Sequence, residues 1–187
     1  TALPASISGG GLNLISTQTA SSSATLSFTS GIDSTYKEYM FIFNNIHPAS
    51  DGVYFQINFS ADGGSNYNVT KTTTFINVFH YESGSSTDFG YKTARDLAQS
   101  TADAPIMWGV ANDNDGSSSG VLHLFEPSST TFVKHFISRI QGMVSQPVSQ
   151  ENYVAGYGNT TSAINAVRFN MSSGNIDSGV IKLYGVS

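Results

Sequence analysis

The chain has 187 residues, with 13 acidic and eight basic side chains, a net charge of −5 and no cysteine. This length fits one domain, and the lack of cysteine excludes disulfides, thiolate catalysis and Cys-based zinc sites. Lys and Arg form no cluster, which argues against nucleic acid as a partner, because phosphate neutralisation supplies most of that affinity. No stretch approaches the ~20 apolar residues that span a bilayer, so no membrane partner is expected.

Residues 1–11 end in Gly9-Gly10-Gly11 and show no sustained apolar pattern. They predict a flexible N-terminal arm, which either clamps a neighbouring molecule or is a frayed terminus. Residues 12–187 are predicted to form one domain. Since 39% of the chain is hydrophobic and 12% aromatic, this part is not disordered.

A two-residue alternation of apolar and polar side chains predicts strands along most of the chain, most clearly at residues 53–60. In chain order the predicted strands are 13–19, 24–29, 36–46, 53–60, 69–78, 106–111, 120–125, 132–140, 164–171 and 180–184. The apolar residues at 133, 136, 137 and 140 have helical spacing, but the β-branched content favours a strand there. Residues 93–100 are predicted to form a short helix.

Turn residues separate the predicted strands. Residues 47–52 carry Pro and Asp-Gly, which predicts a hairpin between the strands on either side. Residues 62–65 (Asp-Gly-Gly-Ser) predict the next turn. Strands with turn signals every 8–12 residues indicate an all-β fold, an antiparallel β-sandwich with a jelly-roll-like arrangement.

Residues that could bind a metal are scattered. His80, His123 and His135 fall on or beside separate strands, and they either meet in space or serve as partly buried polar residues. Asp113 and Asp115 resemble part of a calcium loop, but position 111 is Ala and no Glu follows at the required distance. An acidic turn is therefore favoured. We expect no cofactor, and Asp113 and Asp115 are the candidates if an ion binds.

Motifs for nucleophilic catalysis or phosphate binding are absent from the sequence, and the protein is not expected to be an enzyme. Paired carboxylates that meet only in space stay open. Five aromatic residues in or near predicted loops are the candidate binding residues. They either bind a sugar ring or a protein partner, or serve as plugs at the ends of the sandwich. They are Tyr81, Tyr91, Trp108, Tyr153 and Tyr157.

Both ends of the chain resemble a family of bacteriophage virion proteins from phages of aquatic bacteria. The C-terminal resemblance lies in residues 164–169, a Gly-Asn turn at 174–175 and the terminal strand with Leu183-Tyr184-Gly185. The N-terminal resemblance lies in residues 14–20, 26–29 and 36–39, and a further match covers 60–65. None of these motifs is a site, so the resemblance transfers no catalytic residue.

The resemblance implies a non-enzymatic structural protein of the virion, present in many copies on the particle surface. Assembly in a reducing host cytoplasm suits a chain without cysteine. The expected role is a capsid decoration protein or a small head or tail fibre, with other capsid or fibre subunits as partners and a homotrimer as the oligomer. The alternative is a glycan- or receptor-binding module at a fibre tip that recognises host surface carbohydrate.

Overall fold

The computed structural model describes residues 11–187, so the predicted arm lies outside the described residues except for Gly11. The described part is entirely β-structure, in agreement with the predicted fold class. Its twelve strands are β1 (Leu12–Thr19), β2 (Leu26–Phe28), β3 (Glu38–Pro48), β4 (Val53–Ser60), β5 (Lys71–Tyr81), β6 (Thr87–Tyr91), β7 (Ala104–Val110), β8 (Ser118–Phe125), β9 (Lys134–Met143), β10 (Val148–Gly158), β11 (Ala166–Met171) and β12 (Ile176–Val186). No helix long and apolar enough to cross a membrane occurs in residues 11–187.

The strands form two antiparallel sheets with jelly-roll connectivity. The large sheet has the order β1-β12-β3-β8-β9-β10-β5-β6, and the small sheet has the order β2-β11-β4-β7. Strands from the two ends of the chain pair with each other, and the pairing continues towards the middle of the sequence, as in a jelly roll. The pairs are β1 with β12, β2 with β11, β3 with β8 and β4 with β7. The hairpins β5-β6 and β9-β10 are additions, and they extend the large sheet beyond β8.

A cluster of phenylalanine rings joins the two sheets. Phe41 and Phe43 of the large sheet contact Phe169 of the small sheet at centroid distances of 5.1 and 5.2 Å, edge to face. Phe28 and Phe55 complete the cluster, and all five side chains are buried. Such edge-to-face pairs each add about 0.5–1.5 kcal/mol beyond the area that they bury.

The structure confirms the ten predicted strands, with ends that shift by up to four residues. The strand interpretation of residues 132–140 is also confirmed, because β9 alternates between buried and exposed side chains along its length. Two strands were not predicted. β6 is short and exposed, and β10 places polar residues on its buried face, so neither shows the expected apolar period.

Two local predictions are wrong. Residues 47–52 do not close a hairpin, because β3 pairs with β12 and β8 while β4 pairs with β11 and β7 in the other sheet. Residues 93–100 are not helical either. Their backbone forms hydrogen bonds with the part of β5 that does not pair with β6. Thr73 N donates to Leu97 O at 2.9 Å, and Lys71 N donates to Ser100 O at 2.8 Å.

Candidate functional site

The outward-facing side of the large sheet carries most of the large hydrophobic residues that are exposed in the described chain. Of the seven large hydrophobic residues that are exposed in residues 11–187, six lie on this side. They are Leu12 and Leu14 of β1, Phe89 and Tyr91 of β6, Ile137 of β9 and Tyr153 of β10. Phe132, in the loop before β9, is the seventh. We call the outward-facing side chains of the large sheet the outer face.

Strand register explains why these residues share one side. Tyr91 pairs with Ile76 and Phe89 pairs with Val78, and partners directly opposite in an antiparallel sheet point the same way. Ile76 and Val78 alternate along β5 with the buried residues Phe75 and Asn77. The outer face thus continues from β1 at one edge to β6 at the other.

A polar cluster lies at the middle of the outer face. The Arg139 guanidinium pairs with the Glu151 carboxylate and lies 5.3 Å from the centre of the Tyr153 ring. The Tyr153 hydroxyl donates to Glu151 Oε2 at 2.7 Å. The Arg139 hydrogen bond lowers the pKa of Glu151, and the hydrogen bond to Glu151 raises the pKa of Tyr153. These three side chains are therefore held by one another, with Glu151 ionised at neutral pH.

Charges on the outer face are mostly paired within it. Besides Arg139 and Glu151, His123 Nδ1 lies 2.5 Å from Glu38 Oε1. Between the two pairs, a shallow depression of about 410 Å³ is lined mainly by Val121, Ile137, Tyr153 and Ala155. The surface available here is apolar, with neutralised charge at its margin.

The inner side of β10 has the opposite chemistry. Gln150 and Asn152 are buried, and both bind the backbone of Trp108 on β7, which is the edge strand of the small sheet. Trp108 N donates to Asn152 Oδ1 at 2.8 Å, and Gln150 Nε2 donates to Trp108 O at 2.6 Å. Asn152 Nδ2 in turn donates to Asn77 Oδ1 at 2.6 Å. The amides therefore satisfy an edge that would otherwise expose unpaired backbone groups.

A half-enclosed cavity of about 310 Å³ opens beside this capped edge. Its walls are aromatic and amide side chains with the backbone of Gly109, and no charged residue lines it. The side chains that line it are Phe79, Tyr81, Trp108, Val144, Ser145, Gln146, Val148 and Gln150. The Tyr81 hydroxyl donates to Gln146 Oε1, and the Phe79 and Tyr81 rings pack edge to face at 5.6 Å.

The five aromatic residues singled out from the sequence divide between these two places. Tyr91 and Tyr153 lie on the outer face, and Tyr157 lies on the same side near the far end of β10, within 3.3 Å of Gln99 Nε2. Trp108 and Tyr81 line the cavity. All five belong to strands, and Tyr81 and Tyr91 are the last residues of β5 and β6, next to loops. β10 had been missed, which is why Tyr153 and Tyr157 were placed outside strands.

The candidate metal ligands do not come together. No group of three or more His, Asp or Glu side chains within residues 11–187 is arranged to hold an ion. Asp113 and Asp115 are exposed in a turn that the hydrogen bond from Gly116 N to Asp113 O closes at 2.8 Å. This turn connects β7 of the small sheet with β8 of the large sheet.

Sequence reasoning missed the residues that define both places, namely Ile137, Gln150 and Asn152. One signal for Ile137 was available. Strand alternation places it on the other face from the apolar Phe136 and Ile140, on the same face as the polar residues His135, Arg139 and Gln141. Gln150 and Asn152 gave no such signal, since buried amides break the apolar period by which an inward face is recognised.

A buried lysine lies at the start of β5 on the inner side. Lys71 Nζ donates to Asn58 Oδ1 at 2.6 Å and to Val69 O at 2.8 Å. Burial lowers its pKa from 10.5 to about 8, the nearby Asp103 carboxylate opposes this, and Arg168 adds to it. Lys71 is completely inaccessible to solvent and lines none of the cavities described here, which favours a structural role.

Comparison of the chain with protein-family models, curated proteins and solved structures finds no match.

Proposed function

We propose that the protein is a non-enzymatic structural subunit of a bacteriophage particle, and that it assembles with copies of itself through the outer face. A capsid decoration protein or a small surface fibre is the role that fits best. The proposal depends on one observation, the gathering of six of the seven exposed large hydrophobic residues on one side of one sheet. These residues lie in three groups along the sheet, on β1, on β9 and β10, and on β6, and exposed large apolar side chains that share one face favour an interaction site.

The size of the outer face matches that of a stable interface. Eight strands at a spacing of about 4.8 Å give a width of roughly 34 Å, and four rows of outward side chains give roughly 20 Å along the strands. The product is on the order of 700 Å², against about 800 Å² per partner in a standard protein interface. One further molecule of similar size could therefore cover the face.

The chemistry of the face favours a second copy over a charged partner. Arg139 forms an ion pair with Glu151, and Glu38 lies against His123. Lys182 of β12 points out on the same face and makes no ion pair within residues 11–187, so few charges on the face are free to attract a strongly acidic or basic molecule. Arginine and tyrosine at the centre with aliphatic residues around them are the composition of interface hot spots. Most homo-oligomers are symmetric, and a neutral apolar face is self-complementary.

The assignment to a phage particle draws on the resemblance at the two chain ends. Those segments are adjacent in the structure, since β1 pairs with β12 and β2 pairs with β11. The jelly roll is common among viral capsid domains, although this fold also serves lectins and cupins. Fold and resemblance support a virion subunit together, and neither does so alone.

Analytical ultracentrifugation of the full chain tests the assembly. We expect the wild type to sediment as an oligomer of the 19.9 kDa chain. Two large sheets that face each other give a dimer, whereas the trimer predicted from the sequence requires each copy to share its outer face between two neighbours. Ile137→Glu should raise the dissociation constant by about 100-fold, because a charge would be buried at the centre of the interface. Phe132→Glu is the matched control, since Phe132 is 70% exposed but lies outside the outer face.

Two results would count against the proposal. One is a wild-type chain that stays monomeric at about 100 μM, a concentration far above the Kd of stable assemblies. The other is an oligomer that Phe132→Glu and Ile137→Glu weaken equally. Circular dichroism of both variants would establish that they fold as the wild type does.

A further inference from the structure

The cavity beside β7 has the features of a small-molecule site. Its volume of about 310 Å³ is at the lower end of the range of roughly 300 to 1,000 Å³ for ligand pockets. It lies on the opposite side of the large sheet from the outer face, because Phe79 and Tyr81 follow the inward register of β5. Occupancy of the cavity is therefore independent of assembly through the outer face.

Several polar groups around the cavity have no hydrogen-bond partner among residues 11–187. Gln150 is buried, and its Nε2 is engaged by Trp108 O, but its Oε1 bonds no group within residues 11–187. Gln146 uses Oε1 to accept from Tyr81, which leaves its amide hydrogens free among the described residues. The Trp108 indole N–H and the Ser145 hydroxyl likewise make no hydrogen bond in that part of the chain. The site thus offers both donors and acceptors.

Trp108 is held in place from outside the cavity. The Arg95 guanidinium lies 4.8 Å from the indole centre and 4.9 Å from the Tyr54 ring. Arg95 does not line the cavity but a neighbouring depression with Tyr91 and Lys92. Backbone hydrogen bonds to Gln150 and Asn152 fix the strand beneath the indole. An indole clamped in this way is ready to receive a ligand without loss of side-chain freedom.

We propose that this cavity binds a neutral saccharide of one or two rings. Aromatic side chains pack against the apolar C–H face of a sugar, while carboxamides and a hydroxyl bond its hydroxyl groups in both directions. The lack of any charged residue in the lining disfavours phosphate, carboxylate and amine ligands. The binding residues are Trp108, Tyr81, Gln146 and Gln150, with Ser145 at the margin.

Trp108 provides the assay, because it is the single tryptophan of the chain. Glucose, galactose, N-acetylglucosamine and their disaccharides are each titrated while the tryptophan emission is recorded. We expect a saturable change with at least one sugar, with a Kd on the order of 1 mM for so small a ligand. Acrylamide quenching supplies a second readout, since a bound sugar shields the indole.

Two cavity variants and one control on the outer face separate the cavity from the rest of the surface. Gln146→Ala removes an exposed side chain and should weaken binding by about fivefold, the value of one hydrogen bond. Tyr153→Ala, on the outer face, should leave the Kd unchanged. Tyr81→Phe removes only the hydroxyl that holds Gln146 and should also weaken binding. The proposal fails if no sugar gives a saturable response up to about 100 mM, or if Gln146→Ala and Tyr81→Phe both bind as the wild type does.

Discussion

The two sides of the added hairpins, β5-β6 and β9-β10, invert the usual relation between burial and polarity. On the inner side Asn77, Gln150 and Asn152 are buried, whereas on the outer face Ile137 and Phe89 are 48% and 72% exposed. Gln150 and Asn152 have a purpose within the chain, because they satisfy the edge of β7, and Asn77 accepts a hydrogen bond from Asn152. The outer apolar residues are not buried by any part of residues 11–187, and under the proposed function a second copy of the chain covers them.

The outer side of the small sheet strengthens this contrast. It is polar, and the Asp103 carboxylate accepts hydrogen bonds there from Asn58, Arg168 and Asn170 at 2.7, 2.9 and 3.2 Å. The Tyr67 ring packs 4.6 Å from the Arg168 guanidinium. Asp103 thus connects several polar side chains, although the Tyr67 hydroxyl, Arg168 Nε and Asn170 Oδ1 have no hydrogen-bond partner among residues 11–187. The surface does not present the exposed large apolar side chains that an assembly would bury.

Asn152→Ala should have the largest effect on stability. The substitution leaves Trp108 N and Asn77 Oδ1 without partners in a buried setting and opens a small cavity, at a cost of about 3 kcal/mol. Urea unfolding monitored by circular dichroism measures the change. Tyr153→Ala, one residue along β10 on the outer face, is the matched control and should change monomer stability by less than about 1 kcal/mol.

Equal destabilisation by Asn152→Ala and Tyr153→Ala would contradict the difference drawn between the inner side of β10 and the outer face. The inner amides would then be replaceable, and the outer tyrosine would be part of the monomer core. Measurements under conditions in which the chain is monomeric keep the interface from contributing to the Tyr153→Ala result.

Lys71, also on the inner side, should make the free energy of unfolding depend on pH, by a smaller amount than the Asn152→Ala change. Its pKa is lowered from 10.5 to about 8 by burial, so between these values the unfolded chain holds a proton that the folded chain has released. Stability therefore rises with pH in this window, by about 2 kcal/mol between pH 8 and pH 10. Below pH 8 this contribution is constant.

Lys71→Met removes the titrating group and keeps most of its volume, so the difference between variant and wild type isolates the effect. Burial also lowers the pKa of Lys134, but that lysine is present in both proteins and cancels. Urea unfolding at several pH values between 7 and 10 measures the slope. An identical rise in the two proteins would mean that Lys71 is hydrated in the folded chain.

Much of the jelly roll could be predicted from the sequence, because β3, β4 and β11 bury apolar residues at the two-residue period that marks a strand. The added strands could not, since β6 is almost fully exposed and β10 buries Gln150 and Asn152. Whether residues 47–52 close a hairpin or cross between the sheets depends on distant strands, and turn residues alone do not encode it. The outer face was missed for a related reason, because it comes from register between strands far apart in sequence.

An electron cryo-microscopy reconstruction of the assembled oligomer, or of the particle that carries it, tests the central claim most directly. The account predicts that Ile137, Tyr153 and Phe89 are covered by a neighbouring copy of the chain, with the large sheets facing each other. A reconstruction in which the outer face is open to solvent, while copies meet through the small sheet or the loops, would contradict it.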